Sequence, residues 1–504
     1  MLRTVFLLNS LSKRDICEFY LNILRIICLY MNAEKILSQF ATQNNIAVRD
    51  IKVEKAVYKL LFSPELTDPL ALRSVIKSLQ RFGGTASSPE EIKNAILHVS
   101  EADIIDDEAE GIECMLSGDA LLFARESVLK INVRKYDKRS VAEPPTETVM
   151  RGPREGFIED LKTNLGLIQR RLRTPALGIE KCRVGRVSST TVALVYISTI
   201  ASPQLIDEVR KRLNKIDIDC LIDSHYLQPL LEDHPFSIFH QSGVSEKPDV
   251  VCAKLLEGRV ALIVDGSPMV LTVPFMFVED LQSSEDYYER NAFSTFLRIM
   301  RLISLFFGVA LPGIFVAIQM FHQEVIPVRF LTTLMNAIEG IPLPPLPEIL
   351  FVLLLFEIIR EASVRMPRAV GMAMSIVGAL VLGETAVNAG IISSPAVMVV
   401  ALSSISLYTV PNEVGTMSLI RIILILMGGF FGFFGLIISA MYFVHLMCSM
   451  DSFGVSYTAP FAPLVRDDLK DALIRAPIPT LSTRPKSIPN INNVRQGEDI
   501  CEKK

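Results

Sequence analysis

The sequence predicts an α/β N-terminal region of two subdomains, placed in the cytoplasm, followed by an α-helical multi-span transmembrane domain. Three observations predict it. Charged residues crowd the first 290 positions, whereas 302–447 is one apolar run after another, separated by short polar breaks. A strand–turn–strand pattern occurs twice in the charged half, and the apolar runs approach the length that a bilayer demands. The resulting order is 1–31 as a leader or a start assigned too early, 32–138 as the first α/β subdomain, and 139–156 as a linker. A second subdomain follows over 157–280, then a helical membrane domain of about five spans over 281–450, and a tail over 451–504.

Composition supports this division. Half of the 504 residues are hydrophobic, and the mean hydropathy of +0.37 averages two different materials. A net charge of -4 supplies no basic field, which removes nucleic acid as a partner. The eight cysteines are scattered, without C-x-x-C or a Cys/His cluster at metal-ligand spacing, so the soluble half is read as reduced, with no metal or cofactor. In the first thirty positions, Arg25 interrupts the apolar run 19–30, and no small-residue cleavage site follows. A premature start, with Met31 as the first residue, and a short helix are the two readings.

Gly118 to Val133 (GDALLFARESVLKINV) aligns without gaps on Gly258 to Val273 (GRVALIVDGSPMVLTV), which predicts two subdomains ending in similar hairpins. Asp265-Gly266 supplies positive φ for a two-residue hairpin turn. Between the repeats, RSVAEPPTETVMRGPREG at 139–156 is too rich in proline, glycine and alternating charge to be a core element. Its Arg139, Glu143, Glu147, Arg151 and Arg154 are candidates for contacts between the subdomains. Phe157, Leu161, Leu165, Ile168 and Leu172 recur at helical spacing opposite Lys162, Arg170 and Arg171. Val192 to Ile200 reads as a buried strand, and Ser202-Pro203 opens a helix carrying Leu205, Val209 and Leu213. Ile216 to Ile222 reads as a returning strand. His225, His234 and His240 cluster around Asp233 and are read as polar loop histidines. No phosphate-binding loop, nucleophile elbow or metalloprotease motif occurs, so no catalytic apparatus is indicated.

At the membrane boundary Ser283 caps a helix with Asp286 three residues on, Tyr287 and Tyr288 sit at headgroup level, and the helix continues into the first span. Leu302 to Met320 supplies that span, with a kink at Pro312. Phe321 to Pro347 holds a one-sided stripe of Val328, Leu331, Met335 and Ile338, suited to the outer interface. Ile349 to Ile359 is too short to cross alone and carries Glu357 into Arg360, Glu361, Arg365 and Arg368. Val370 to Asn388 and Ser393 to Val410 are further spans. Leu419 to Met447 is either one tilted helix or two short ones broken at Gly428, Gly429, Gly432 and Gly435, and the side on which the tail lies depends on which. The arginines around 298–301 and 360–368 put the soluble half in the cytoplasm. Glu357 or Glu384 at membrane depth costs about 3 kcal/mol unless it faces water or a partner, so a polar pathway and pairing with Arg360 or Arg365 both stay open. Ser394, Val397, Ala401, Ser404 and Tyr408 form a small, mildly polar stripe, which is either tight helix packing or the wall of a pore.

Several stretches together resemble the GerA-type germinant receptor A subunits. They are RSVAEPPTETVMRGPREGF at 139–157, LLEGRVALIVDGSP at 255–268, QSSEDYYER at 282–290, FHQEVIP at 321–327, FEIIREASVRMPR at 356–368 and APFAPLVRDDLKDALIRAP at 459–477. The resemblance implies a non-enzymatic subunit of a complex in the spore inner membrane, made with a transporter-like B subunit and a lipoprotein C subunit. It also implies sensing of small nutrients and a homo-oligomeric ion conduit; the charges and the small polar stripe described above offer Glu357, Arg360, Glu361, Ser394, Ala401 and Ser404 as its pore or gating residues. One departure is Leu353, where family members commonly carry a glutamate. The alternatives are the paralogous stage V sporulation protein AF and a secondary transporter, the latter requiring matched broken helices in two halves.

Overall fold

The computed structural model describes residues 35–496, apart from 43–45, 54–55, 82–88, 98–99, 106, 125–127, 136–143, 145–146, 368–369, 372–375 and 379. By contact the chain forms two compact units. One runs up to Pro235 and includes Ser242–Pro274 and Thr483–Arg495, and the other takes Phe236–Gln241 and Phe275–Ser482.

The soluble unit contains two five-stranded antiparallel sheets of the same topology. In the first, β1 (Ala47–Val53), β2 (Ala56–Phe62), β3 (Ala102–Ile105), β4 (Ala120–Phe123) and β5 (Val128–Ile131) pair in the order β1-β2-β4-β5-β3. In the second, β6 (Leu177–Val184), β7 (Thr190–Ile197), β8 (Gly243–Ser245), β9 (Val260–Val264) and β10 (Val270–Val273) pair as β6-β7-β9-β10-β8. Each strand pattern follows from the period of two that separates sheet faces. Leu60 and Leu122 point toward α1 (Pro69–Arg81) and α2 (Pro89–Leu97), whereas Leu61 and Leu121 point toward α3 (Glu108–Leu116). In the second sheet, α4 (Leu161–Arg171) and α7 (Pro248–Leu256) cover one face through Leu165, Ile168, Val251 and Leu255. Helices α5 (Pro203–Lys215) and α6 (Ser224–Leu231) complete that subdomain.

Both hairpins of the internal repeat are present, but their registers differ. Phe123 pairs with Val128 across four residues, whereas Ile263 pairs with Val270 across six. Asp265 and Gly266 therefore form the centre of a β-turn closed by Ser267 N–H donating to Val264 O, with Gly266 at φ 93°, inside a longer connection. The residues Ile216 to Ile222 are not a strand. Their carbonyls at Ile218 and Asp219 accept from Arg186 and Val187 in the turn between β6 and β7, so the hydrogen-bonding groups go to a loop instead of a ladder.

In the helical unit, a 3-10 turn over Ser284–Tyr287 carries the Ser283/Asp286 capping box and ends before α8 (Asn291–Phe321), so the helix restarts rather than continues. Next come α9 (Val328–Ile338), α10 (Pro345–Arg365), α11 (Ile376–Asn388, including a π-helical turn at Val381–Thr385), α12 (Ser394–Leu407) and α13 (Val414–Cys448). The short apolar run 349–359 thus lies within a helix of 21 residues, since polar Glu348, Arg360 and Glu361 continue its hydrogen-bonded path. On α9, Leu334 is buried while Val328 and Met335 of the expected stripe are exposed. Helices α8 and α13 are long and apolar enough to cross a membrane.

Helix α13 is not straight. Gly432 has φ 59° and ψ -146°, and a Cβ placed on Gly435 would collide with the carbonyl of Met427, eight residues earlier. The chain therefore doubles back, with legs over 414–431 and 433–448. The Phe433 N–H next to the reversal donates to His322 Nε2 at 3.4 Å, and the two rings stack at 4.7 Å. Small residues allow the close crossing. At Gly313 an added Cβ would lie 2.9 Å from Leu424 O, and at Gly308 2.6 Å from Leu407.

Candidate functional site: charge buried among apolar helices

Glu357 on α10 projects toward α13, where its Oε1 accepts from Arg421 NH2 at 2.8 Å, and its Oε2 faces Arg360 NH2 at 2.5 Å. Arg421 is 1% exposed. Its NH1 donates to Ser403 Oγ at 3.0 Å and Ser404 Oγ at 3.3 Å, and Ser403 Oγ donates to Gly308 O at 2.6 Å. Arg360 NH1 donates to Ser418 Oγ at 3.3 Å. The cluster thus joins α8, α10, α12 and α13 through two guanidinium groups and one carboxylate, a surplus of one positive charge. Arg421 Nε is buried without a hydrogen-bond partner among the described residues. An uncompensated charge at such depth costs several kcal/mol, so the pairing decides how these helices pack.

Of the six residues proposed for a pore or gate, Glu357, Arg360 and Ser404 meet in this cluster. Glu361 pairs with Arg365 at 2.6 Å on an exposed turn. Ser394 is exposed and Ala401 half-buried, on the same side of α12 as Ser404, whereas Ala396, Val399, Val400, Ser403 and Leu407 form its buried side. The stripe is therefore left largely unconsumed by the core of the helical unit. Glu384 is exposed on the π-helical turn. Leu353, the departure from the family pattern, packs with Val316, Ile349, Val400 and Ile425.

Arg421 was missed in reading the sequence, although it carries the only full charge in α13. Its isolation in an apolar run was the available signal. Also missed was Glu348 as a helix cap. Its buried Oε1 accepts from Ser393 N–H at 2.5 Å, at the positive end of α12.

A second charged group lies at the start of α8. Asp286 and Arg298 are both fully buried; Arg298 Nε bonds Asp286 Oδ2 at 3.0 Å, and Arg301 grips the same carboxylate with NH1 at 2.8 Å and NH2 at 2.9 Å. Burial pushes the Asp286 carboxyl up, but hydrogen bonds and charge from Arg301, with help from Ser283 N–H and Arg298, hold it below the usual range. Asp471 from the tail completes the set, accepting from Arg298 NH1 at 3.0 Å and Tyr287 OH at 2.9 Å. Two acids balance two bases here, which marks a structural lock.

In the soluble unit, Arg139 and Glu143 lie outside the described residues. Glu147 Oε2 accepts from Ser245 Oγ at 2.9 Å in the second subdomain, and Arg151 and Arg154 are exposed. The two subdomains meet through Glu65 and Lys181 at 2.7 Å, Ser63 Oγ and Gln169 Oε1 at 3.4 Å, and Ala41 N–H donating to Pro175 O at 2.9 Å. His225 pairs with Asp223 at 2.7 Å, while Asp233 takes Arg212 at 2.6 Å, so those side chains serve local contacts.

Such a chain defines a class: an α/β region of two antiparallel sheets followed by apolar helices that hold a charged cluster among them. Residues 34–487 match the family described as Bacillus/Clostridium GerA spore germination protein, and the chain belongs to that family. It is 44% identical over 390 residues to spore germination protein KA of Bacillus subtilis (strain 168), covering 76% of this chain and 72% of that one. With spore germination protein GerLA of Bacillus cereus it shares 32% over 467 residues, covering 91% and 95%. A crystal structure of the N-terminal domain of the A subunit of the Bacillus megaterium spore germinant receptor GerK3 aligns at 29% identity and a TM-score of 0.37, over 49% of this chain and 94% of that one. Family membership and the two long apolar helices together make this a membrane-associated protein of spore germination.

Proposed function

We propose that the chain is the A subunit of a germinant receptor in the spore inner membrane, acting with a transporter-like B subunit and a lipoprotein C subunit to trigger germination when small nutrients bind. Copies of the chain assemble into a ring whose conduit is bordered by the exposed side of α12 and opened by rearrangement of the Glu357 cluster. The observation that carries this reading is the Glu357–Arg421–Arg360 group, a charged element among apolar helices that a purely structural bundle would replace with hydrocarbon. On this reading the pairing of Glu357 within one copy belongs to the closed state, and opening requires the pairing to change. With the soluble unit cytoplasmic, α8, α10, α11, α12 and the two legs of α13 alternate in direction and cross the bilayer.

Ion flux through the purified chain in liposomes tests it. Glu357→Gln leaves Arg421 buried and unbalanced, costing the closed state roughly 3–5 kcal/mol, so basal flux should rise, and Glu357→Gln combined with Arg421→Gln should bring it back toward wild type. Liposomes that stay tight with wild-type and variant protein alike, at verified incorporation, would end the conduit reading.

A further inference from the structure

The loop between α6 and β8, Phe236–Gln241, packs with the helical unit, although the chain on either side of it belongs to the soluble one. Phe239 is 1% exposed, in a cluster with Leu305, Leu407, Met417 and Phe443, and its ring lies 6.0 Å from that of Tyr457. The loop grips both feet of the α13 hairpin. At the first leg, Ile238 O accepts from Thr416 Oγ1 at 2.8 Å. Just beyond the returning leg, Ser237 Oγ donates to Met450 Sδ at 3.3 Å and Gln241 O accepts from Ser452 Oγ at 2.6 Å. His240 bears electrostatically on buried Glu413, whose carboxyl hydrogen-bonds Asp280 and Thr416.

At its other end the loop runs directly into β8, whose Gly243 pairs with Thr272 of β10. Strand β10 in turn leads to Phe275, and the Phe275 N–H donates to the same Ser452 Oγ at 3.0 Å. Two neighbouring strands of one sheet are therefore continuous in chain with two segments, ending at Gln241 and starting at Phe275, that both bond Ser452 within the helical unit. A paired β-ladder resists extension, and a buried aromatic anchored in a close-packed core transmits displacement instead of absorbing it.

We propose that Phe236–Gln241 is the coupling element of this protein. It carries a displacement of the β8–β10 edge through Phe239 and the carbonyls of Ile238 and Gln241 to both feet of the hairpin. Arg421 stands five residues along the first leg from Thr416, so the displacement reaches the Glu357 cluster. Only that last step rests on the function proposed above.

The test replaces Thr416→Val together with Ser452→Ala in the intact receptor, removing both hydrogen bonds to the loop carbonyls while leaving the Glu357 cluster untouched. Spores with normal amounts of the variant should germinate on the order of fivefold more slowly in a rich nutrient mixture. Phe239→Ala should slow triggering further, and Phe239→Leu, which refills the core, should restore much of it. Wild-type germination rates in both the double variant and Phe239→Ala would overturn the proposal. Germination rate reads the coupling whether or not this chain conducts ions, so tight liposomes would sink the conduit and leave this result standing.

Discussion

At the scale of single residues, charge in this protein is spent in two ways. In the soluble unit, Glu180 accepts from Arg210 Nε at 3.0 Å and NH2 at 2.8 Å, and from Tyr196 OH at 2.7 Å. The Arg210 hydrogen bonds, against the upward push of burial, hold the Glu180 carboxyl below its usual 4.5, while burial and the bond to Glu180 push the Tyr196 phenol up to about 12. A carboxyl whose folded value lies below its unfolded one adds stability above about pH 4.5, and loses it as the pH falls through the folded value. Glu180→Gln should therefore lower neutral-pH stability by about 1 kcal/mol, a small figure because Arg210 is partly solvated. It should also flatten the fall in melting temperature between pH 6 and pH 3. An unchanged acid limb in the variant would mean that the pair contributes nothing. The Glu357 cluster is spent on packing instead, with one carboxylate shared by two guanidinium groups from different helices. Its legibility was correspondingly partial. Glu357 and Arg360 stood out as charges at the end of an apolar run, whereas Ser403, three dimensions away from either, is visible only once α12 lies against α8.

At the scale of elements, periodicity and turn chemistry carried most of the reading. The helix at Leu161–Arg171 and the one opened by Ser202-Pro203 appear as the apolar spacing requires, since each has a sheet face to cover. The strand expected over Ile216 to Ile222 does not, because alternation of Ile and Asp satisfies a solvated loop as well as a sheet edge, and only a partner strand separates the two. The glycines of α13 showed a break without showing its angle. A positive φ at Gly432 is a conformation that side chains resist, and a Cβ there would meet His322 Nε2 at 2.9 Å. Gly432→Ala should destabilise the hairpin by about 1–3 kcal/mol, lowering the yield and melting temperature of the detergent-solubilised protein. Gly415→Ala, on the same helix with nothing within 4 Å, should be neutral or gain up to about 1 kcal/mol. Equal behaviour of the two variants would show that the reversal at Gly432 is not under that constraint.

For the whole molecule, the hairpin in α13 bears on a question that hydropathy left open, the side of the bilayer on which the tail lies. A single tilted helix over 414–448 would carry the tail to the far side of the bilayer, whereas two legs return it. The contacts of the tail agree with a return, since Ser452 bonds Gln241 O and Asp471 bonds Arg298 and Tyr287, all at the end of the helices where α8 begins. The same tail then supplies Thr483–Arg495 to the soluble unit, where Arg484 donates to Leu256 O at 2.6 Å. In the arrangement proposed above, α8, α10, α11, α12 and the two legs make an even number of crossings. Cysteine labelling in sealed, oriented vesicles checks it. In a background with the other cysteines replaced, a membrane-impermeant maleimide should reach Cys220 of the soluble unit and Cys448 at the end of α13, both exposed, from the same side. A cysteine introduced at exposed Thr332 on α9 should react from the opposite side. Labelling of Cys448 together with position 332, and apart from Cys220, would require α13 to cross once. The loop Phe236–Gln241 could not then hold both its ends.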